Sequence, residues 1–232
     1  MACEYRAKYV KIKENPMKAV IFDLDGTLLD TVPDLLFSMN SSLEQLGRPT
    51  VSAVQLKAFI GNGARNLVIR CLGGNADEDT VSKLYTLYGQ TYSQNLTVRT
   101  EYYSGISDVL HSLVEKGIKI SVLSNKPDEQ TKKIIAHYFS DIPFDCVMGK
   151  MDGMPLKPDP TTALMIAEKM GVSSEETVFV GDSPEDFKTA QNGGMKCISV
   201  LWGYRSKEAY SDLPQNNFAE NTAELLSLLE NI

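Results

Sequence analysis

The sequence predicts an α/β protein: a doubly wound parallel sheet with an all-helical block inserted after its first strand. Three observations predict it. Short apolar, β-branched runs each end near a Gly, Ser, Asn or Asp, and helix-length segments separate them. The alternation lapses only between about Pro33 and Arg99, where helical stretches follow one another without a convincing strand. Strands alternating with helices give βαβ units and a sheet buried on both faces.

The first strand is expected at residues 18–24 (KAVIFDL), leading straight into Asp25-Gly26. The inserted block follows, with helices expected at 34–46, 54–59, 65–72 and 80–96. It stands where one crossover helix belongs and is far longer than one helix. A separate helical unit over the ligand-binding edge of a sheet reads as a lid, with a decorative subdomain as the alternative. Its hinges are expected near Asp30–Pro33 and Tyr102–Gly105. The alternation then resumes: helix 106–116, strand 118–123 (IKISVL), helix 128–139 and a weaker strand 144–148 (FDCVM). Helix 161–170, strand 177–180 (TVFV), helix 185–192 and strand 197–201 (CISVL) complete it. The domain reading is an N-terminal extension at 1–16, an α/β core at 17–32 and 101–232, and a helical cap at 33–100. Met17-Lys18 abuts the first strand closely enough for Met17 to be the natural start; alternatively, Tyr9 to Ile12 adds an edge strand.

Composition bounds the function. Of 232 residues, 43% belong to the AVILMFWYC set and 23% are charged, which excludes disordered and low-complexity classes. Lys and Arg number 23 against 30 Asp and Glu, a net charge of -7 that argues against nucleic-acid or anionic-membrane partners. A phosphate site needs only a few local cations and backbone N–H groups, so small anionic ligands stay open. Cys3, Cys71, Cys146 and Cys197 are scattered without a C-x-x-C pair, and neither His111 nor His137 has a second ligand nearby in sequence. Zinc is poorly supported and reduced thiols are expected. No apolar run approaches the roughly 18 residues of a membrane span. The opening MACEYRAKYVKIKENP is too charged for a secretory signal, so a soluble, cytoplasmic protein is expected.

The chemistry gathers at strand ends, where open α/β sheets bind ligands. In FDLDGT, Asp23 and Asp25 lie two residues apart, so an extended backbone points both carboxylates one way. Such a pair repels unless a hard cation such as Mg²⁺ relieves it; a capping Asp in a polar strand exit is the plainer alternative. Ser124-Asn125-Lys126-Pro127 closes the next strand as an anion cradle, or merely begins a helix. Lys157 precedes a rigid Pro that can aim its ammonium, or is solvated; Asp159 and Pro160 read as a helix start. Asp182 stands at a further strand end as a metal candidate. Asp186 is a weaker one, because Ser183-Pro184-x-Asp186 also reads as a capped helix start.

In that order, Asp23-x-Asp25, Ser124, Lys157 and Asp182 resemble the four motifs of the haloacid-dehalogenase-like hydrolase superfamily, over nearly the whole chain from Met17. The core would then be Rossmann-like and the insertion a helical cap. Local strings are similar to those of phosphoglycolate phosphatases: residues 30–35 (DTVPDL), 61–64 (GNGA), 124–127 (SNKP) and Trp202-Gly203-Tyr204. Tyr103-Ser104-Gly105 departs at a hinge, where Pro is common before the Gly.

The resemblance implies a Mg²⁺-dependent phosphomonoesterase acting on a small phosphorylated metabolite, with 2-phosphoglycolate as the expected substrate. Asp23 would be the nucleophile that forms an aspartyl-phosphate, and Asp25 the general acid and base. Asp23, the Asp25 carbonyl and Asp182 would hold Mg²⁺, with Asp186 in support. Ser124, Asn125 and Lys157 would bind the phosphoryl group, with Thr27 alongside orienting Asp25. An acid at position 25 argues against dehalogenation, and neither Lys57 nor Lys83 is a strong candidate for the Schiff-base lysine of phosphonate-cleaving members. Specificity would lie in the cap turn Gly61-Asn62-Gly63-Ala64, with Arg65 either pairing with a substrate carboxylate or solvated. Trp202 and Tyr204 rim the pocket or fill the core; His111 and His137 are packing or surface residues. The competing readings are a phosphosugar mutase of the β-phosphoglucomutase kind, a pyrophosphatase or nucleotidase, and a receiver-like phospho-acceptor domain. The expected state is a monomer or homodimer.

Overall fold

Strand β1 (Ala19–Phe22) is buried at all four positions, as a run of Ala, Val, Ile and Phe requires when a sheet is covered on both faces. The computed structural model describes residues 16–214 and 217–232. Apart from Pro16, the expected extension at 1–16, with its candidate edge strand and Cys3, lies outside the described residues.

β1 pairs in parallel with β4 (Lys119–Pro127) on one side and β6 (Thr177–Gly181) on the other. β5 (Cys146–Lys150), β7 (Lys196–Val200) and β8 (Asn217–Ala219) complete a parallel sheet of order β5-β4-β1-β6-β7-β8. Side chains alternate across it. Val20, Phe22, Val122 and Val180 join one apolar layer, with Ile106, Leu110 and Leu113 of helix α5 (Ile106–Glu115) and Leu225 and Leu229 of α9 (Thr222–Asn231). Ala19, Ile21 and Phe179 face the other layer, with Ile166 and Met170 of α7 (Thr161–Met170) and Ala190 of α8 (Pro184–Asn192). Helix α6 (Asp128–Tyr138) contributes Ile134 and Ile135 to the first layer. Among the described residues no helix is long and apolar enough to cross a membrane.

The stretch without sheet strands folds as four helices: α1 (Val32–Gln45), α2 (Ala53–Phe59), α3 (Ala64–Cys71) and α4 (Glu78–Ser93). Ser52 starts α2 through a capping box with Gln55, and Asp77 caps α4 by accepting from the Thr80 N–H. α1 packs along α4, and Leu35, Met39, Leu43, Leu84, Tyr88 and Tyr92 are buried. The two crossings to and from this block are paired with each other. β2 (Leu29–Asp30) and β3 (Glu101–Tyr102) form a two-stranded antiparallel ribbon where the sequence suggested hinges. Asp34, fully buried in the first turn of α1, closes the crossing. Its carboxylate accepts from the N–H groups of Val98, Arg99 and Thr100 and from the Thr100 hydroxyl, at 2.9–3.0 Å.

The elements differ from expectation in three places. β4 runs on through Ser124 to Pro127 rather than stopping before them, its pairing with β5 shifting register between Leu123 and Pro127. α7 has the expected bounds, but Pro160 rather than Asp159 stands at its N-cap, and Asp159 accepts from the Thr161 N–H at 2.9 Å. The 3₁₀ turn Lys207–Tyr210, β8 and α9 were not foreseen, because NFA is too short to read as a strand without its β7 partner.

Replacing Asp34 with Asn puts an amide where three backbone donors meet one carboxylate. The expected cost is about 1–3 kcal/mol, seen as a lower Tm in thermal denaturation. An unchanged Tm contradicts the role given to Asp34.

Candidate active site

Asp23 extends the centre of the sheet by one residue, its N–H donating to the Val180 carbonyl at 2.8 Å. Gly26 then turns the chain with φ +91°, and a Cβ there would lie 2.3 Å from Asp182 Oδ2. Only glycine satisfies both the left-handed backbone and the approach. Asp23 and Asp25 line one cavity, with Ser124 and Asn125 from β4, Lys157 from the loop after β5, and Asp182 from the end of β6. The neighbours β4, β1 and β6 thus bring together residues far apart in sequence.

Lys157 is the hub. Its ammonium lies 2.6 Å from Asp23 Oδ1 and 2.6 Å from Asp186 Oδ1, and 3.3 Å from the Leu123 carbonyl. The Lys157–Pro158 peptide is cis. Asn125 fixes the Lys157 backbone: its Oδ1 accepts from the Lys157 N–H at 2.8 Å, and its Nδ2 donates to the Lys157 carbonyl at 3.1 Å and to the Gly61 carbonyl at 2.8 Å. With these bonds made, Asn125 positions Lys157 rather than offering a free donor to phosphate. Asp186 is engaged twice, by the expected cap and by a lysine contact that the sequence did not show. It closes a capping box with Ser183, and its second oxygen takes Lys157. It is fully buried, and a Cβ on Gly181 would overlap it at 2.3 Å.

One carboxylate oxygen from each of Asp23, Asp182 and Asp186 lies within 4.8 Å of the others, all three residues buried. A single lysine does not balance them. Burial, with Asp186, Asp182 and Asp25 adding to it against Lys157, holds the Asp23 carboxyl well above the usual carboxylate range. Burial and the Asp186 charge push Asp182 up to about 7, although the Tyr204 N–H donates to its Oδ2 at 2.6 Å. Burial works against the Lys157 ammonium, but Asp186 and Asp23 outweigh it and raise the amine. A buried all-oxygen cluster short of positive charge suits a hard divalent cation.

Asp25 is held by groups the sequence reading missed. Thr31 Oγ1 donates to Asp25 Oδ1 at 2.5 Å, and the Lys126 ammonium lies 2.8 Å from the same oxygen. The Tyr204 hydroxyl accepts from the Thr31 N–H at 3.0 Å and meets Thr31 Oγ1 at 3.1 Å. Thr27, expected to orient Asp25 beside the phosphate, does neither. Its hydroxyl is buried without a partner among the described residues, because the tight turn from Leu24 to Leu29 brings Thr31 back to Asp25 instead. Lys126 carried a legible signal. It stands two residues from Ser124 on an extended strand and so shares its side.

The helical block supplies the cavity roof. Gly61 and Gly63 line it as expected, but Asn62 turns away to bond Glu185 Oε1 at 3.1 Å and Arg70 at 2.7 Å. Arg65 is exposed, paired with Glu78 at 2.6 Å, and is not among the residues that line the cavity. Arg205, unflagged in the sequence, reaches from beyond β7 to the carbonyls of Lys57 at 2.5 Å and Ile60 at 2.6 Å. Asn125, Glu185 and Arg205 therefore tie the Lys57–Gly63 stretch to three strand ends. Tyr204 lines the cavity, whereas Trp202 donates its indole N–H to the Thr27 carbonyl at 3.1 Å. His111 and His137 are exposed on helices outside the site.

The sequence model of the family described as haloacid dehalogenase-like hydrolase matches residues 20–200. The chain is 32% identical over 215 residues to phosphoglycolate phosphatase 1 of Pseudomonas aeruginosa, covering 90% of this chain and 78% of that one. It is 32% identical over 228 residues to a phosphoglycolate phosphatase of Vibrio parahaemolyticus, covering 93% and 97%. Among solved structures, a protein of Lactobacillus delbrueckii subsp. bulgaricus provisionally described as a phosphoglycolate phosphatase superposes with a TM-score of 0.87 at 28% identity, covering 92% of this chain and 98% of that one.

Gly203 permits the Asp182 arrangement, since a Cβ there would lie 2.4 Å from Asp182 Cβ and Oδ2 and from the Gly26 carbonyl. Gly203→Ala is expected to displace Asp182 and weaken divalent-cation binding by about tenfold or more, on the scale of lost metal-site support. Titration of the Tm with Mg²⁺ checks it; equal affinity in variant and parent contradicts it.

Proposed function

The chain belongs to the haloacid dehalogenase-like hydrolase family, and we propose that within it the protein is a Mg²⁺-dependent phosphomonoesterase for a small phosphorylated acid, 2-phosphoglycolate first. The observation that carries this reading is Lys157 bridging Asp23 and Asp186 inside a buried carboxylate cluster at the end of β1. The names of the relatives support the substrate.

In this mechanism a carboxylate oxygen of Asp23 attacks phosphorus, and the bond to the ester oxygen breaks. Asp25, oriented by Thr31, gives its proton to the departing alkoxide. Asp25 then takes a proton from water as that water attacks the aspartyl-phosphate, releasing inorganic phosphate and restoring Asp23. Lys157 and the Ser124 hydroxyl, which faces the cavity, hold phosphoryl oxygens while charge spreads over them. Asp23, Asp182 and Asp186 have the donors for Mg²⁺, which when bound supplies charge neutralisation between carboxylate and phosphate. The helical block acts as a cap over residues 33–100, keeping water from the cluster.

Two outcomes check the proposal. Asp23→Asn keeps the shape but loses the nucleophile, so phosphate release should fall by about a thousandfold or more; retained turnover sinks the mechanism. The second concerns pH. Because Asp23 and Asp182 are raised in the folded protein, it holds protons between about pH 4 and 7 that the unfolded chain releases. Stability without cation should therefore fall as pH rises through that window. Mg²⁺ displaces those protons, so its gain in Tm should be larger at about pH 7.5 than at about pH 5. Equal gains contradict the assignment.

A further inference from the structure

We propose that Lys126 binds the carboxylate of the substrate next to the leaving oxygen, and so selects phosphorylated carboxylic acids over other short phosphomonoesters. The inference rests on the phosphatase reading above and names the group that gives it specificity.

The cavity walls carry three cationic side chains: Lys126, Lys157 and Arg205. Lys157 sits at the phosphoryl end, between Asp23 and Asp186 and 3.3 Å from the Leu123 carbonyl, and serves the phosphoryl group there. Arg205 is spent on backbone carbonyls at the end of α2. Arg65, the cation that sequence alone suggested for a carboxylate, is exposed and satisfied by Glu78. That leaves Lys126. Its ammonium is almost wholly buried and has two hydrogen-bonding partners among the described residues, Asp25 Oδ1 at 2.8 Å and the Tyr92 hydroxyl at 2.8 Å. An ammonium has three N–H donors, so one remains for a ligand.

Its place fits the chemistry. Asp25 is the group that meets the leaving oxygen, and Lys126 touches Asp25. A carboxylate joined to the ester oxygen through a single methylene falls within reach of the ammonium that contacts the acid. Tyr92, on α4, accepts from Lys126 through its oxygen and keeps its own O–H to donate to the same anion. Tyr88 stacks on Tyr92 at 5.7 Å and, with Leu35 and Leu67, gives the cavity apolar lining, and a charge pair gains strength away from water. An uncharged leaving group would meet the same apolar walls but leave the third donor unpaired, which is how a buried polar group rejects a mismatched ligand.

The test compares 2-phosphoglycolate with ethyl phosphate, equal in length but lacking the carboxylate, using phosphate release by the parent protein and by Lys126→Met. The parent is expected to prefer 2-phosphoglycolate. In the variant the ratio of the two kcat/KM values should fall by about tenfold to a hundredfold, the scale of one charged hydrogen bond, with most of the loss in KM. If both substrates lose the same factor, Lys126 acts only through Asp25 and the inference is overturned. A parent without preference between the two also overturns it. Release from neither compound is a different failure, that of the phosphatase reading itself. If Lys126→Met does not fold, inhibition of the parent by glycolate and by ethylene glycol reads the same contact. Glycolate should inhibit at a concentration at least about tenfold lower, and equal potency overturns the proposal.

Discussion

Buried like charge is the constraint around which this molecule is arranged. Asp23, Asp182 and Asp186 sit at the carboxyl edge of a parallel sheet with their oxygens within 4.8 Å, and Asp25 stands beside them. Isolated carboxylates in such a place would be expelled or neutralised by protons. Two buried lysines offset part of the cost: Lys157 between Asp23 and Asp186, and Lys126 against Asp25. The remaining deficit shows as the raised Asp23 and Asp182 carboxyls. A buried site that holds more anion than cation suits a divalent cation.

The surrounding architecture keeps those charges in place. Strand order sets β1 between β4 and β6, so Lys126 comes from one neighbour and Asp182 from the end of the other, while Lys157 reaches in from the loop after β5, on the far side of β4. Asn125 then does two things at once, fixing the Lys157 backbone and gripping the Gly61 carbonyl of the helical block. Glu185 and Arg205 hold adjacent points of the same loop. The geometry of the charged cluster and the position of the helical roof are therefore linked through shared side chains. Any movement of the roof acts directly on the residues that aim Lys157.

Local chemistry explains what the sequence showed and what it hid. The strands of the core were legible because burial on both faces writes unbroken apolar runs, as in AVIF of β1 and TVFVG of β6. Asp23, Lys157 and Asp182 were legible because each stands at a strand end or in a loop with no sufficient local partner. Asp186 was half legible: the capping box was visible in Ser183-Pro184-x-Asp186, whereas the bond to Lys157 comes from across the fold. Thr27 misled, since a hydroxyl two residues from Asp25 looks closer than Thr31 until the turn is built. Arg205 and Tyr92 were hidden for the same reason, being defined by contacts across 145 residues or more in one case and 34 in the other. Elements that depend on a distant partner, such as β8, leave little trace in their own three residues.

The central claim is that the Asp23 carboxylate takes the phosphoryl group. Its most direct test is an acid quench during turnover of 2-phosphoglycolate with Mg²⁺, followed by mass spectrometry of the peptide containing Asp23. The account predicts one added phosphoryl group on Asp23, present during turnover and absent once substrate is exhausted. Phosphate released while Asp23 never carries a phosphoryl group, or carried by another residue, would contradict it.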